Sequence, residues 1–515
     1  MSNNISKKPS SNAQKSSSPH SKKSPASKTV SRHIESYNQT SKENSIIRKV
    51  GIVLAIAQLI SSSVLVVALK RLNLLQTWQL FLTAFTLVIF ETLVIYFLVI
   101  KQSAKRAVQV ILIILSILIS CGSVMGYKYV RQTVSFIENI TGSHYETQTY
   151  KVLVLKSSQY NEIGQLNNQH IGFLSTNPNL ETTEKTLKNV ISFKEQHYDE
   201  LGNLIASIQD YKVSAITLTD SYLEFLEENN EDFIENSKVI YQFEVRVENE
   251  KDEKRVNVVT DPFILYISGS DSRIGLNDTA RSDVNILAVI NPKEAKILLV
   301  SIPRDYYVQL HGTTGTKDKL THAGIYGTEM SKTTIEDLLD IDINYTLKVG
   351  FSTVIKVIDE VDGIDIDSDQ AFTAWTNKSC KFTKGVQHVD SVCALAFARE
   401  RYSYASGDRH RGENQQQVIT KLIEKVTNPH YLTRYTDILS AAEGSFETSL
   451  NYDEITDFAR YQLAELKKWK VESISLDGTG AMLPTYSMGA QKLYVMIPTQ
   501  STIVTAQEKI TEYLK

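Results

Sequence analysis

The chain reads as an α/β protein behind a membrane anchor. The expected order is three N-terminal transmembrane helices, a small α/β accessory domain, and a larger α/β domain with a central mixed sheet flanked by helices. Three observations predict this. Residues 50–126 hold three apolar runs, later segments alternate between strand and helix periodicity, and short Arg/Asp phrases fall at the ends of apolar segments. With 515 residues and a formal net charge of -3, the chain has room for two or three domains beyond the membrane part.

Residues 1–49 carry 10 Lys/Arg against 2 Glu, are rich in Ser, Asn and Pro, and lack apolar periodicity. That composition predicts a disordered basic cytoplasmic tail over 1–47. It reads as an anchor that fixes topology and touches anionic lipid, rather than as a nucleic-acid arm. Val50–Leu69, Trp78–Ile100 and Ala107–Gly126 each approach the ~20 residues that cross a bilayer as a helix, so residues 48–127 form the membrane part. Three such runs do not fit a cleaved signal peptide. Basic residues crowd the tail and the Lys101–Arg106 loop, which places the N-terminus in the cytoplasm and residues from about 128 outside. Glu91, within the second span, is either a functional carboxylate or a side chain facing a neighbouring helix.

Beyond the spans, Tyr129, Val130, Val134 and Ile137 keep helical spacing and predict a stalk. An accessory domain completes residues 128–255. Val152–Leu155, Ile171–Leu174, Ile216–Leu218 and Val239–Val247 have strand character, and Thr183–Ile191 and Tyr198–Ile208 have helical character. Residues 130–255 hold 21 Asp/Glu against 12 Lys/Arg, a net charge of about -9 that should repel nucleic acid. Within it, Glu224 to Glu235 reads as a solvated acidic helix face rather than a metal patch.

The larger domain, 256–515, opens with a strand at Phe263–Ser268. A hairpin of Val284–Ile290 and Ile297–Ile302 turns at Asn291-Pro292-Lys293-Glu294. Thr333-x-x-Glu336 reads as a capping box for a helix running to Leu339. Phe351–Val361 is a helix, Ile364–Ile366 a short strand, Leu493–Ile497 a strand and Thr505–Tyr513 a closing helix. Val418, Ile419, Leu422, Ile423 and Val426 form an apolar stripe that reads as core, while this helix and Phe351–Val361 could instead wall an apolar groove. Cys121 should pack as a small apolar residue in the third span. Cys380 and Cys393, 13 positions apart in the exported part, are candidates for a disulfide.

The chemistry is carried by Gly269-Ser270-Asp271-Ser272-Arg273, Arg281-Ser282-Asp283, Pro303-Arg304-Asp305, Lys319-Leu320-Thr321, and Arg399-Glu400-Arg401 followed by Asp408, Arg411, Asn414 and Gln415. Guanidinium groups match phosphate oxygens in a planar two-point geometry, so arginines gathered from distant segments suggest a site for a di-anionic head group. Asp271 ends one strand and Asp283 begins the next. Two carboxylates beside a pyrophosphate suit a hard divalent cation, while each could equally pair with a neighbouring arginine. Asp305 and Asp408 read as orienting partners for the guanidinium forks. Arg399 and Arg401, two apart, are expected to point the same way from extended chain.

In their order, these phrases closely resemble the LytR-CpsA-Psr (LCP) family of Gram-positive bacteria, and more narrowly its CpsA, capsular-polysaccharide branch. The resemblance implies transfer of capsular polysaccharide or a related glycopolymer from an undecaprenyl-pyrophosphate carrier onto peptidoglycan. Residue by residue, it implies that Asp271 and Asp283 hold Mg2+ (or Mn2+), and that Arg281, Arg304, Arg399, Arg401 and Gln415 contact the pyrophosphate. Arg273, Lys319, Asp408 and Arg411 match further motif positions. Asp271, Asp283, Arg281 and Arg304 form the expected catalytic group, with Asp271 or Asp283 open as general base. Asn414 departs from the pattern, since many members carry arginine there. The accessory domain of that branch is likened in shape to a DNA polymerase processivity factor, yet the acidic exported segment argues against nucleic acid as a partner. Implied partners are the lipid-linked glycan, the peptidoglycan acceptor, membrane lipid and capsule-assembly proteins. A membrane-bound regulator of capsule synthesis and a polyprenyl-pyrophosphate phosphohydrolase remain open alternatives.

Overall fold

A computed structural model describes residues 25–515 apart from 102–104, 142–144, 178, 249–253, 271–278, 406, 427–430, 432–433, 443, 445 and 466. The chain divides into two compact units, one of residues up to 66 with 78–126, the other of 67–77 with 127–515.

In the first unit, three helices are long and apolar enough to cross a membrane: Lys42–Leu72, Thr77–Ile100 and Arg106–Ile140. Ala55, Val94, Leu98 and Leu112 pack between them, while Val53, Phe81, Val88 and Ile111 face outward. Cys121 is on the outer face as well, not packed inside. Glu91 turns both carboxylate oxygens into the bundle, and Gln58 and Ser116 are fully buried there, so Glu91 faces neighbouring helices. The first helix begins at Pro25, within the tail expected to be disordered. Proline suits the first helical position, and once a long apolar helix has nucleated, extension needs only one hydrogen bond per added residue.

In the second unit, the third helix continues to Ile140 and buries Val130, Val134 and Ile137, as the stalk spacing predicts. The short 67–77 segment is held nearby. Arg71 pairs with Glu138 at 2.7 Å, and Arg460 donates to the Asn73 side chain at 3.1 Å.

The accessory sheet has five strands in the order Lys194–Tyr198, His170–Leu174, Ala215–Thr219, Tyr145–Leu155, Ser237–Glu248. The first two pairings are parallel and the others antiparallel. Ala215–Thr219 is buried throughout, as befits a central strand covered on both faces. The strand Lys194–Tyr198 is not evident from sequence because its residues, KEQHY, are polar. Helix Asp220–Asn229 shows solvent Glu227 and buries Tyr222, Phe225 and Leu226. Those side chains join a cluster that also contains Ile325 and Met488 of the larger domain, so the two domains share one hydrophobic core.

The main sheet orders Phe446–Thr448, Tyr345–Gly350, Phe263–Ser270, Val284–Asn291, Lys296–Ser301 and Lys470–Ser475. It is mixed, with antiparallel hairpin pairings and parallel partners at Tyr345–Gly350 and Lys470–Ser475. All eight residues of Val284–Asn291 are buried, because both faces are covered. Leu287, Val289, Leu298 and Val300 pack on the helices Thr328–Leu339 and Gln500–Tyr513. One end of this sheet gathers Ser270, Val284, Ser301 and Ser475. The helix at Thr333 starts earlier than the capping-box reading, at Thr328 behind Gly327, whose φ of 118° only glycine adopts freely. Thr333 therefore lies mid-helix and donates to the Glu329 carbonyl, while Glu336 accepts from the Ile343 amide.

Candidate functional site

Four of the five phrases meet at that sheet end with their backbones joined directly. The Ser282 amide donates to the Thr321 carbonyl at 3.2 Å, the Thr321 amide to the Arg304 carbonyl at 2.8 Å, and the Asp283 amide to the Gly269 carbonyl at 2.8 Å. Two glycines permit the approach. A Cβ on Gly324 would strike the Ala280 carbonyl, and one on Gly412 would lie 2.5 Å from the Ser301 hydroxyl. Beneath the turn, Ser282 Oγ donates to Asn285 Oδ1 at 2.8 Å, and the Tyr266 hydroxyl donates to the same oxygen at 2.6 Å. This buried network fixes the Arg281-Ser282-Asp283 turn.

Upon this scaffold, Arg304 Nη1 donates to Asp283 Oδ1 at 2.6 Å, and Lys319 Nζ lies 2.5 Å from Asp305 Oδ1. Asp305 is 3% exposed. Burial pushes its carboxyl up, but Lys319, Arg304 and Arg411 together outweigh that and hold it below the usual aspartate range. Arg304, Lys319 and Arg411 thus gather around Asp305 in a partly desolvated setting, the side-chain types that bind an anion.

Arg399 is the last residue of the helix Ser391–Arg399, and burial lowers its proton affinity. Glu400 leaves the helix in extended conformation, with φ -71° and ψ 128°, and the turn begins at Tyr402. Arg401 lies over the Tyr402 ring, 4.7 Å from its centroid. Glu400, fully buried, accepts from the amides of Trp375 at 2.6 Å, Tyr402 at 2.8 Å and Ser403 at 3.0 Å. Burial raises its carboxyl, yet these donors prevail and hold it below the ordinary 4.5. A depressed folded-state value means the contribution to stability is complete above the ordinary value and is lost as pH falls through the folded one. Glu400→Gln, which sets an amide N–H against these donors, should lower unfolding free energy by about 1–3 kcal/mol at neutral pH. The difference from wild type should shrink in acid, which denaturant titrations at several pH values would measure.

Behind the phrases lies an apolar cavity of about 480 Å3. Gly269, Val284, Ala398 and Gln415 line it where it adjoins the motif residues, and Phe136 of the stalk also contributes. Val418, Ile419, Leu422 and Ile423 line it too, as does Val357, so of the two readings open from sequence these helices take the groove. The stripe faces inward, opposite Leu265, Ile267, Ala288 and Leu299 of the sheet, with the void between the layers.

The matching family model, LytR_cpsA_psr, covers residues 229–508, more than half of the chain. The chain belongs to the LytR_cpsA_psr family. The match starts before residue 256, in keeping with the core that the two domains share. Bacillus subtilis (strain 168) TagU, a polyisoprenyl-teichoic acid–peptidoglycan teichoic acid transferase, is 33% identical over 237 residues, covering 46% of this chain and 75% of the relative. The like-named Enterococcus faecalis protein is 31% identical over 224 residues, covering 43% and 72%. Among solved structures, B. subtilis TagV aligns with TM-score 0.42 at 28% identity, covering 50% of this chain and 98% of that one. TagT bound to LI-WTA aligns with TM-score 0.41 at 26% identity, covering 51% and 94%.

In this LytR_cpsA_psr chain, the structure brings Asp283, Arg304, Asp305, Lys319 and Arg411 together and places Arg281 beside them through Ser282. Gln415 faces the cavity, next to Asn414, which donates to the Phe397 carbonyl at 3.0 Å and so braces the helix bearing Arg399. Asp271, Arg273 and the side chain of Asp408 lie outside the described residues. Among the described residues there is no group of three or more metal-ligating side chains. Cys380 and Cys393 form a disulfide with Cα atoms 5.3 Å apart. Sequence reasoning passed over Glu400, Asn285, Gly324 and Gly412. Only Glu400, a carboxylate between two motif arginines, carried a local signal.

Proposed function

We infer that this protein is a membrane-anchored phosphotransferase that moves a glycopolymer from a polyprenyl-pyrophosphate carrier onto peptidoglycan. The observation that carries the reading is the adjoining of a cationic cluster around Asp305 and an apolar cavity at Gln415, one suited to a pyrophosphate and the other to a polyprenyl tail. Family membership and the transferase relatives support it. The three apolar helices anchor the chain, with the N-terminus on the cytoplasmic side and the catalytic domain outside. Capsular polysaccharide or a related glycopolymer is the proposed cargo.

Phosphoryl transfer asks the protein chiefly to position reactants and to neutralise charge on phosphate oxygens. Arg304, Lys319 and Arg411 do the second, with Arg281, Arg399 and Arg401 as further contacts. A peptidoglycan hydroxyl attacks the phosphorus bearing the glycan, and the lipid monophosphate leaves. Asp283, with one oxygen on Arg304, offers the hard carboxylate donor that Mg2+ or Mn2+ favours, and Asp271, next after Ser270, would be the second ligand. When bound, the ion supplies charge neutralisation on the phosphate oxygens. To test the reading, the full chain in detergent is given polyprenyl-pyrophosphate oligosaccharide with and without peptidoglycan. Glycan joined to peptidoglycan, abolished by EDTA and restored by Mg2+, is expected. Free glycan phosphate in equal yield without acceptor would mean hydrolysis instead.

A further inference from the structure

In the two segments whose backbone amides Glu400 binds, two large aromatic side chains stand in solvent: Trp375 is 60% exposed and Tyr402 is 59% exposed. Their ring centroids are 5.0 Å apart at an interplanar angle of 51°. Single exposed aromatics are commonplace, but this pair is held from below at several points. Glu400 accepts from the amides of both residues, at 2.6 and 2.8 Å. Ala374, next to the tryptophan and fully buried, donates to the Cys380 carbonyl at 3.0 Å, and Cys380 is joined by the disulfide to Cys393. Ala374 and Cys380, at the base of the loop, are buried, and Cys380 is cross-linked. An exposed apolar surface whose backbone is fixed in advance is suited to binding, because little ordering entropy remains to be lost.

The flanking groups indicate the ligand. Lys378 Nζ sits 4.4 Å from the Trp375 ring centroid, and the Arg401 guanidinium lies over Tyr402 and donates to its hydroxyl at 2.6 Å. Tyr402 follows Arg399 by three residues, so chain geometry keeps the two Cα atoms within roughly 11 Å. A pyranose presents apolar C–H faces to aromatic rings and a rim of hydroxyls to charged donors, and a sugar-1-pyrophosphate places its ring immediately beyond the phosphates. We propose that Trp375 and Tyr402 form a sugar-binding platform that stacks a pyranose beside the phosphate-binding arginines. This rests on the proposed transferase reading. The pyranose is that of the donor glycan or of the peptidoglycan acceptor.

The test compares full-length wild type with Trp375→Ala, Trp375→Phe and Tyr402→Ala in detergent. The probes are farnesyl pyrophosphate, the same lipid pyrophosphate carrying one N-acetylglucosamine, and a soluble uncrosslinked peptidoglycan fragment. For a donor-side platform, both alanine variants should bind the sugar-bearing lipid about tenfold more weakly while farnesyl pyrophosphate binding stays at the wild-type level. For an acceptor-side platform, lipid affinities should hold and KM for the peptidoglycan fragment should rise by about as much. Trp375→Phe should recover part of either loss. Wild-type affinity and KM in both alanine variants would overturn the platform and leave the transferase reading intact. If wild type binds neither lipid, the transferase reading falls and takes the platform with it.

Discussion

Arg304→Ala is expected to reduce glycan transfer by about 10²-fold or more, the scale set by removing one preorganised electrostatic contact. The side chain leaves the core at the end of a strand, donates to Asp283 at 2.6 Å and lies beside Asp305 at 3.9 Å. Its removal takes away the guanidinium fork proposed to hold phosphate and leaves Asp283 without that counter-charge, which adds repulsion toward an anion. Arg304→Lys restores the charge but not the planar two-point geometry, so it should recover only part of the rate. Asp283→Ala should lose activity on a similar scale. Rates are read from labelled glycan incorporated into peptidoglycan, with far-ultraviolet circular dichroism melts to confirm folding. Transfer by Arg304→Ala within a fewfold of wild type would remove Arg304 from the site.

The second large effect concerns the cavity. Ala288→Phe or Val418→Phe projects a ring into the space of about 480 Å3. Each methylene left in water costs about 0.8 kcal/mol, so blocking two or three lipid carbons should weaken undecaprenyl-pyrophosphate binding by more than about tenfold. Inorganic pyrophosphate, which does not use the cavity, should bind as before. Thermal stability of the lipid-free protein should hold or rise, because the ring gains contacts that the void lacks. Unchanged lipid affinity in both variants would show that the cavity is not where the tail goes. Loss of inorganic pyrophosphate binding as well would point to a displaced sheet rather than a plug.

The strand patterns predicted Phe263–Ser270, Val284–Asn291 and Lys296–Ser301 of the main sheet, because a buried strand such as Val284–Asn291 advertises itself as an apolar run, but not Tyr345–Gly350, Phe446–Thr448 or Lys470–Ser475. Arg304 was legible for a related reason: a guanidinium directly after a core strand has few ordinary uses. What could not be read depended on neighbours remote in sequence. Gly324 is small because Ala280 passes over it, and Gly412 because Ser301 does, and neither fact is local. The helical stripe at Val418 and Leu422 indicated which face turns inward, but not that a cavity separates it from the sheet. Thr333 and Glu336 have the spacing of a capping box, yet Gly327 had already started the helix. The polar strand Lys194–Tyr198 is held by its pairing with His170–Leu174 rather than by any pattern of its own.

Met488 and Ile325 of the larger domain lie in the same apolar cluster as Phe225 of the accessory domain. The Phe225 ring also meets His322 edge-on at 6.2 Å, His322 bonds Asp318 at 2.6 Å, and Asp318 adjoins Lys319 in the chain. A disturbance of the accessory sheet therefore reaches Lys319, the partner of Asp305, through three successive neighbours. The smaller domain is thus no detachable appendage: cutting it away would strip apolar cover from the larger one and loosen the floor under its lysine.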